Sequence, residues 1–193
     1  MSLILFDTET TGLVKSAESP DRIQPRLIQF YGMRCNPANP EEILETLEIL
    51  VDPKIPRSEW KVIKEIGEDG SKISAEDLVG APTFPEALPR LQAFFLGAAT
   101  ICAHNLTFDL QMLHSELKRL DAVTRFPWPP HRICTVEASE QISGRRMNLT
   151  DLHTYLFGEG FGDAHLASAD VKAMHRCFVE LWKRGFISIA GQG

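Results

Sequence analysis

The most constraining feature of the sequence is the run Leu3–Phe6, where four hydrophobic residues follow one another without a polar interruption. A strand with one solvated face alternates apolar and polar residues, whereas a strand covered on both faces is apolar throughout. The run therefore predicts a strand inside a sheet that is covered on both faces. A chain of 193 residues can form one such domain with a substantial core.

Alternation and helical periodicity predict the other elements of the fold. Further strands are predicted at Leu27–Arg34, Ile43–Val51, Thr100–Ala103 and Arg132–Thr135. Helices are predicted after Pro82, with an apolar stripe of Leu88, Leu91, Phe94 and Phe95, and at Leu106–Leu120, Asn148–Phe157 and Leu166–Lys183. The segment up to Ser74 gives only a weak signal of short helix and loop. Early strands with later interleaved helices predict a single α/β domain over residues 1–193.

Composition limits the cellular context more than the partner. No apolar run approaches the ~20 residues of a membrane helix, and the first residues lack the basic region of a signal peptide. Four scattered cysteines contain no CxxC pair, which predicts neither zinc nor disulfides and favours the cytoplasm. A net charge of −6 disfavours binding to phosphates, unless part of the acidity binds cations.

Acidic residues interrupt two of the predicted apolar helix faces. In the predicted helix Leu166–Lys183, Asp170 is four residues from both Leu166 and Met174, so it lies on their apolar face. In the predicted helix Leu106–Leu120, Asp109 lies between Leu106 and Leu113 on the apolar face. An unpaired buried carboxylate costs several kcal/mol of folding free energy, so each needs a cation or hydrogen-bond donors. These two positions are therefore candidate ligand sites.

Two more acids, Asp7 and Glu9, follow the first apolar run. Alternate residues of a strand share a face, and ligand sites of α/β sheets cluster at the carboxyl ends of strands. We expect the four acids to converge, where their mutual repulsion requires raised pKa values or bound cations. An oxygen-only ligand set favours Mg²⁺ or Mn²⁺, and two such ions can clamp the attacking and leaving oxygens of a phosphoryl displacement.

Each of these residues also has a simpler interpretation. An Asp-x-Glu after a strand is commonly a loop or cap, Asp109 could complement a helix dipole, and Asp170 could pair with a nearby cation. His165 taken alone is an ordinary residue at the entry of a helix. The interpretation as a site depends on their occurring together in one order.

That order resembles a known family, the DEDDh exonucleases, which include the polymerase III proofreading subunit, ribonuclease T and oligoribonuclease. Its first motif is similar to residues 6–13 (FDTETTGL), its second to residues 103–109 (AHNLTFD), and its third to His165 followed by Asp170. Residues 73–82 (ISAEDLVGAP) also resemble the segment between the first two motifs. The similarity runs from about Leu3 to Trp182.

The resemblance implies a ribonuclease H-like fold, with a five-stranded mixed sheet flanked by helices. It also implies a 3′→5′ exonuclease with two Mg²⁺ or Mn²⁺ ions, acting on DNA or RNA with a free, preferably single-stranded, 3′ end. The metal ligands would be Asp7, Glu9, Asp109 and Asp170, and His165 would deprotonate the attacking water. The terminal nucleotide would contact Thr10, Thr11, Gly12, Leu13, His104, Asn105 and Phe108.

Several features leave the substrate and the partners open. The loop 14–26 is longer than in compact relatives, and residues 134–137 (CTVE) stand where the family often has an Asp-Thr-Leu-like stretch. Phe108 could stack on an unpaired base or pack beside Met112, and Arg145-Arg146 could touch phosphates or only solvent. Docking to a polymerase in DNA replication, and a monomer or a homodimer, are all compatible with the sequence.

Two other classes of protein compete with this prediction. An aspartate-nucleophile phosphatase would use Asp7, but it would normally carry Asp at position 9 and would leave Asp109 and His165 unexplained. A catalytically silent nucleic-acid-binding relative would be expected to lack a metal ligand, whereas all four acids and the histidine are present.

Overall fold

The computed structural model describes residues 1–16, 19–20, 23–56, 73–74, 76–162 and 166–189. These ranges contain five strands: β1 (Ser2–Thr10), β2 (Leu27–Asn36), β3 (Asn39–Leu50), β4 (Ala98–Ala103) and β5 (His131–Cys134). They also contain five α-helices: α1 (Phe84–Phe95), α2 (Leu106–Arg119), α3 (Thr135–Ser143), α4 (Leu149–Phe157) and α5 (Ala167–Lys183).

The strands form one mixed sheet in the order β3-β2-β1-β4-β5. The pairs β1–β2 and β2–β3 are antiparallel, and the pairs β1–β4 and β4–β5 are parallel. Strand β1 therefore has a hydrogen-bonded neighbour on each side, as a central strand does. The α/β class predicted from the sequence pattern is confirmed, and so is the five-stranded mixed sheet flanked by helices that the family resemblance implies.

Successive residues of β1 belong to different hydrophobic cores, because successive side chains of a strand point to opposite faces. Ile4 and Phe6 pack with side chains of α1 and α2. Leu3 and Leu5 pack with side chains of α3, α4 and α5 on the other face. The fully apolar run Leu3–Phe6 is thus explained by burial on both sides of the sheet.

One close approach in the first core requires a residue without a side chain. Gly32 on β2 pairs with Phe6 of β1, and a Cβ at this position would lie 2.7 Å from the ring of Phe94. Phe94 belongs to α1, so the missing side chain lets that helix pack closely against the sheet.

The bounds of the elements differ from the sequence prediction in two places. Strand β1 continues to Thr10, so Asp7 and Glu9 lie within the strand and not after it, because the backbone of residues 7–10 still pairs with β2. Helix α3 was not predicted. Its buried residues are Thr135, Val136, Ala138 and Ser139, a set too small and too polar to give an apolar stripe.

The other predicted strands and helices are present within a few residues of their expected bounds. The weak segment before Ser74 lies largely outside the described residues. None of the helices in the described ranges has both the length and the apolar character that a membrane span requires.

Candidate active site

Three of the four predicted carboxylates meet at one point. Asp7 and Glu9 lie two residues apart on β1 and share a face of the sheet, and Asp170 lies in the first turn of α5. One carboxylate oxygen from each of the three lies within 4.8 Å of the others. The first described strand and the last described helix thus contribute to a single acidic cluster.

The fourth carboxylate, Asp109, is fixed from the other face of β1. Thr8 lies between Asp7 and Glu9 and points the opposite way, toward α2. Its amide donates to Asp109 Oδ1 at 3.0 Å, and its hydroxyl donates to the same oxygen at 2.7 Å. Asp109 is only 1% exposed, and these two bonds join it to the strand that carries the cluster.

Burial and mutual repulsion act on this group of acids. Burial, and then the charge of Asp170, raise the pKa of Asp7 to about 7. Burial, and then the charge of Asp7, hold the pKa of Asp109 well above its usual range. The acids therefore resist full ionisation on their own, and a multivalent cation would relieve both the repulsion and the desolvation. Donors that are all carboxylate oxygens fit a hard divalent cation such as Mg²⁺ or Mn²⁺.

The turn that follows β1 is held in place by Arg26, the residue directly before β2. Thr11 donates its amide to the carbonyl of Arg26 at 2.9 Å, and the Thr11 hydroxyl accepts from the Arg26 amide at 2.9 Å. Within the turn, the Thr10 hydroxyl donates to the Gly12 carbonyl at 2.6 Å. Leu13 is 72% exposed, so a fixed turn presents an apolar side chain to solvent four residues beyond Glu9.

The residues of the second motif surround the start of α2. The ring of His104 shares a 2.8 Å hydrogen bond between Nδ1 and the buried hydroxyl of Thr135. Burial lowers the pKa of His104 to about 4, against an opposing contact with the Met147 backbone, so the ring is neutral near pH 7. Asn105 is exposed, with a left-handed φ of 69° that Asn tolerates better than most residues. Phe108 is half-buried, directly before Asp109.

A second buried acid on α2 was missed by the sequence analysis. Glu116 is 2% exposed and accepts from Arg26 Nε at 2.9 Å and from the Leu27 amide at 3.0 Å. Arg119 Nη1 lies 3.1 Å from the same carboxylate. Glu116 stands three residues after Leu113 on the apolar stripe, so the criterion that found Asp109 also applies to it.

Thr8 and Thr135 were also not singled out as functional residues. Alternation along β1 places Thr8 opposite the Asp7 face, which was a usable signal. Nothing in the sequence marked Thr135 as the partner of His104. His165, the predicted general base, lies outside the described residues, and its role stays a prediction.

The chain is similar to known exonucleases and polymerases in sequence. A family model described as Exonuclease (RNase_T) matches residues 4–178. The chain is 29% identical over 175 residues to the PolC-type DNA polymerase III of Streptococcus thermophilus, and 30% identical over 118 residues to that of Streptococcus mutans. These matches cover 90% and 61% of the chain, but only 10% and 7% of the respective polymerases. The chain thus spans about a tenth of the length of these relatives or less.

Solved structures share the fold. The nuclease domain of 3′hExo, a DEDDh family member bound to rAMP, superposes with a TM-score of 0.68 at 17% identity, covering 95% of this chain and 92% of that one. A 3′-exonuclease that recognises the 3′ end of histone mRNA stem-loop superposes with a TM-score of 0.69 at 15% identity, covering 100% and 71%. The family resemblance drawn from the motifs is confirmed: this chain belongs to the exonuclease family.

Proposed function

We propose that the chain is a metal-dependent 3′→5′ exonuclease, which releases nucleoside monophosphates from a free 3′ end of DNA or RNA. The observation that carries this proposal is the cluster of Asp7, Glu9 and Asp170 within 4.8 Å, with Asp109 hydrogen-bonded to the residue between the first two. The family match over residues 4–178 supports it, and we propose that residues 1–193 form one exonuclease domain.

The four acids Asp7, Glu9, Asp109 and Asp170 would hold two Mg²⁺ or Mn²⁺ ions. When bound, such ions neutralise phosphate charge and stabilise the oxygens that attack and leave phosphorus. The chain itself sets the positions of the carboxylates. The β1 backbone sets the separation of Asp7 and Glu9, and Thr8 orients Asp109 by two hydrogen bonds.

The substrate contacts would come from two turns beside the acids. Thr10, Thr11 and Gly12 would line the backbone of the terminal nucleotide, and the exposed Leu13 would pack beside its base. On the other side, the neutral ring of His104, with Asn105 and Phe108, would bound the same pocket. An aromatic ring and an exposed leucine favour an unpaired base, which offers a free face for stacking.

His165 would accept a proton from the attacking water through an imidazole nitrogen. In the sequence it falls between α4 and α5, five residues before Asp170. Residues five apart on a regular helix are separated by about 140° around its axis, so the two side chains would not share a helix face. His165 would therefore approach from the segment before α5. His165→Ala should lower turnover by about 10²–10⁴-fold, the usual contribution of a positioned proton acceptor. It should leave Mn²⁺-dependent thermal stabilisation intact, unlike a change in a metal ligand.

The biological setting is a further part of the proposal. The similarity to part of the PolC-type polymerases supports proofreading in DNA replication, with docking to a polymerase. The shared fold with the exonuclease of the histone mRNA stem-loop supports RNA ends as an alternative substrate. A monomer and a homodimer are both compatible with either setting.

The test is digestion of end-labelled single-stranded DNA, double-stranded DNA and short RNA, with Mn²⁺, Mg²⁺ or EDTA. We expect single-nucleotide shortening from the 3′ end with either metal, none with EDTA, and none with Asp170→Asn. Circular single strands serve as the matched control. Cleavage of circles, release from the 5′ end, or activity in EDTA would contradict the proposal.

A further inference from the structure

A cavity of about 510 Å³ lies between α4 and α5, on a face of α5 that the acidic cluster does not use. Among its lining residues are His153 and Phe161 on one side and Lys172 and Arg176 on the other. The volume is within the range of small-molecule sites, about 300–1,000 Å³. Two cations four residues apart on one helix face stand out in a chain with a net charge of −6.

The aromatic side of the cavity is held by a hydrogen bond and by ring contacts. His153 is 2% exposed, and its Nδ1 shares a 2.7 Å hydrogen bond with the Glu159 carbonyl, so this nitrogen must be the donor. Its ring lies 4.8 Å from the ring of Phe157 and 5.5 Å from that of Phe161. Phe161 is half-buried and lines the cavity, so a planar group can pack there without rearranging the core.

On the cationic side, contacts orient the guanidinium of Arg176 but occupy only one of its three nitrogens within the described residues. The guanidinium of Arg176 lies over the Phe157 ring at 4.0 Å. Its Nη1 makes two bonds, to Glu159 Oε1 at 3.0 Å and to His153 Nε2 at 3.3 Å. Its Nε and Nη2 make no hydrogen bond within the part of the chain that the structure describes. Both side chains of the ion pair with Glu159 are more than half exposed, so the pair competes weakly with a phosphate.

We infer that this cavity binds a nucleotide, with the base against Phe161, which packs on His153, and the phosphate against Arg176 and Lys172. Stacked aromatic rings recognise the face of a base, and a guanidinium edge recognises two phosphate oxygens. A purely anionic ligand would not need the aromatic side, and an apolar ligand would not need the cations. The inference rests on the proposed function in one respect: an exonuclease would release or hold nucleotides near this cavity.

The nucleotide has two sources: a free monophosphate or one unit of a bound single strand. The experiment is calorimetric titration of the full chain in EDTA with AMP, with adenosine, and with a single-stranded decanucleotide. EDTA removes the metal that the acidic cluster would need, which weakens binding at that site, and the cavity variants then assign the remaining binding. If the chain binds AMP in this cavity but digests no nucleic acid, the proposed function is contradicted and this inference is not.

We expect saturable binding of AMP, weakened about tenfold or more by Arg176→Gln, through loss of a charge-assisted hydrogen bond. Phe161→Leu should weaken it by about tenfold through loss of stacking. Lys172→Gln tests the cationic side with a second residue, should Arg176→Gln fail to fold. The matched control is Arg184→Gln. Arg184 follows α5 directly, pairs with Glu180 and does not line the cavity, so this variant should bind AMP normally.

The decanucleotide arm separates the two sources. Equal weakening of AMP and decanucleotide by the cavity variants assigns the site to a unit of the strand, whereas weakening of AMP alone assigns it to the free monophosphate. The inference is overturned if adenosine binds as well as AMP. It is also overturned if Lys172→Gln and Phe161→Leu both bind AMP within about twofold of the unsubstituted chain, or if AMP does not bind.

Discussion

Asp109 and Glu116 lie seven residues apart on the buried stripe of α2 and differ in how their charge is balanced. Both are almost fully buried. Glu116 is matched within the protein by two arginines, Arg26 and Arg119. Among the described residues, the Asp109 carboxylate is held by uncharged donors, namely the amide and hydroxyl of Thr8 and its own backbone amide, and its neighbour Asp7 is another acid. A buried acid with internal cations serves the fold, and one without them is available for an external cation.

The largest expected effect is on activity. Asp109→Asn should lower Mn²⁺-dependent digestion of a single-stranded 3′ end by about 10³-fold, the scale for losing a charged group that stabilises the transition state. Glu116→Gln should stay within about tenfold, because it keeps an acceptor for the Leu27 amide. Rates at saturating substrate measure both. Equal losses in the two variants would break the comparison.

The second effect is on stability and reverses the ranking. Glu116→Ala should lower the free energy of unfolding by about 3 kcal/mol, because it leaves two partly buried guanidinium groups without their anion. The control Glu180→Ala breaks an exposed pair with Arg184 and should cost under about 1 kcal/mol. Urea denaturation in EDTA is the measurement. A loss for Glu116→Ala as small as the control would show that the arginines do not need this acid.

The third effect separates the two acids by their response to metal. Mn²⁺ at ~100 times its dissociation constant should stabilise the chain by about 2.7 kcal/mol, because it binds only the folded state. Asp109→Asn and Asp170→Asn should lose most of this gain, whereas Glu116→Gln should keep it. Melting temperatures with and without Mn²⁺ measure the difference. A gain that persists in Asp170→Asn would place the cation elsewhere.

The smallest expected effect is on pH dependence. The pKa of Asp7 is raised from 3.8 to about 7 in the folded state, so the protonated form stabilises the fold. That contribution is fully present below about pH 4 and is lost as pH rises through 7. In EDTA we expect the free energy of unfolding to fall by roughly 2 kcal/mol at most between pH 5 and 7, and less in Asp7→Asn. The opposite slope, or an unchanged slope in Asp7→Asn, would contradict the raised pKa.

The positions that depend on local pattern could be predicted from the sequence. The apolar run before Asp7, and the acids on helix stripes at Asp109 and Asp170, are visible because period and polarity conflict at single residues. Because an acid stands where the pattern calls for an apolar residue, the sequence alone allowed us to expect that these acids converge.

The contacts that depend on pairing between distant segments could not be predicted in this way. Thr8 and Asp109 are 101 residues apart, and neither residue type indicates the other. Helix α3 escaped because its packing uses small and polar residues. Residues 7–10 were not assigned to β1, because Asp7 and Glu9 are polar. Their backbone nevertheless pairs with β2, and this distant pairing extends the strand.

The acidic cluster joins the first described strand to the last described helix. During synthesis on the ribosome, β1 emerges well before α5, so Asp7 and Glu9 would be present for most of that time without Asp170. Over that period the chain would lack a complete cation site, and any nuclease activity would wait for α5 to dock. Any exonuclease activity of the domain would therefore arise only when the domain has finished folding.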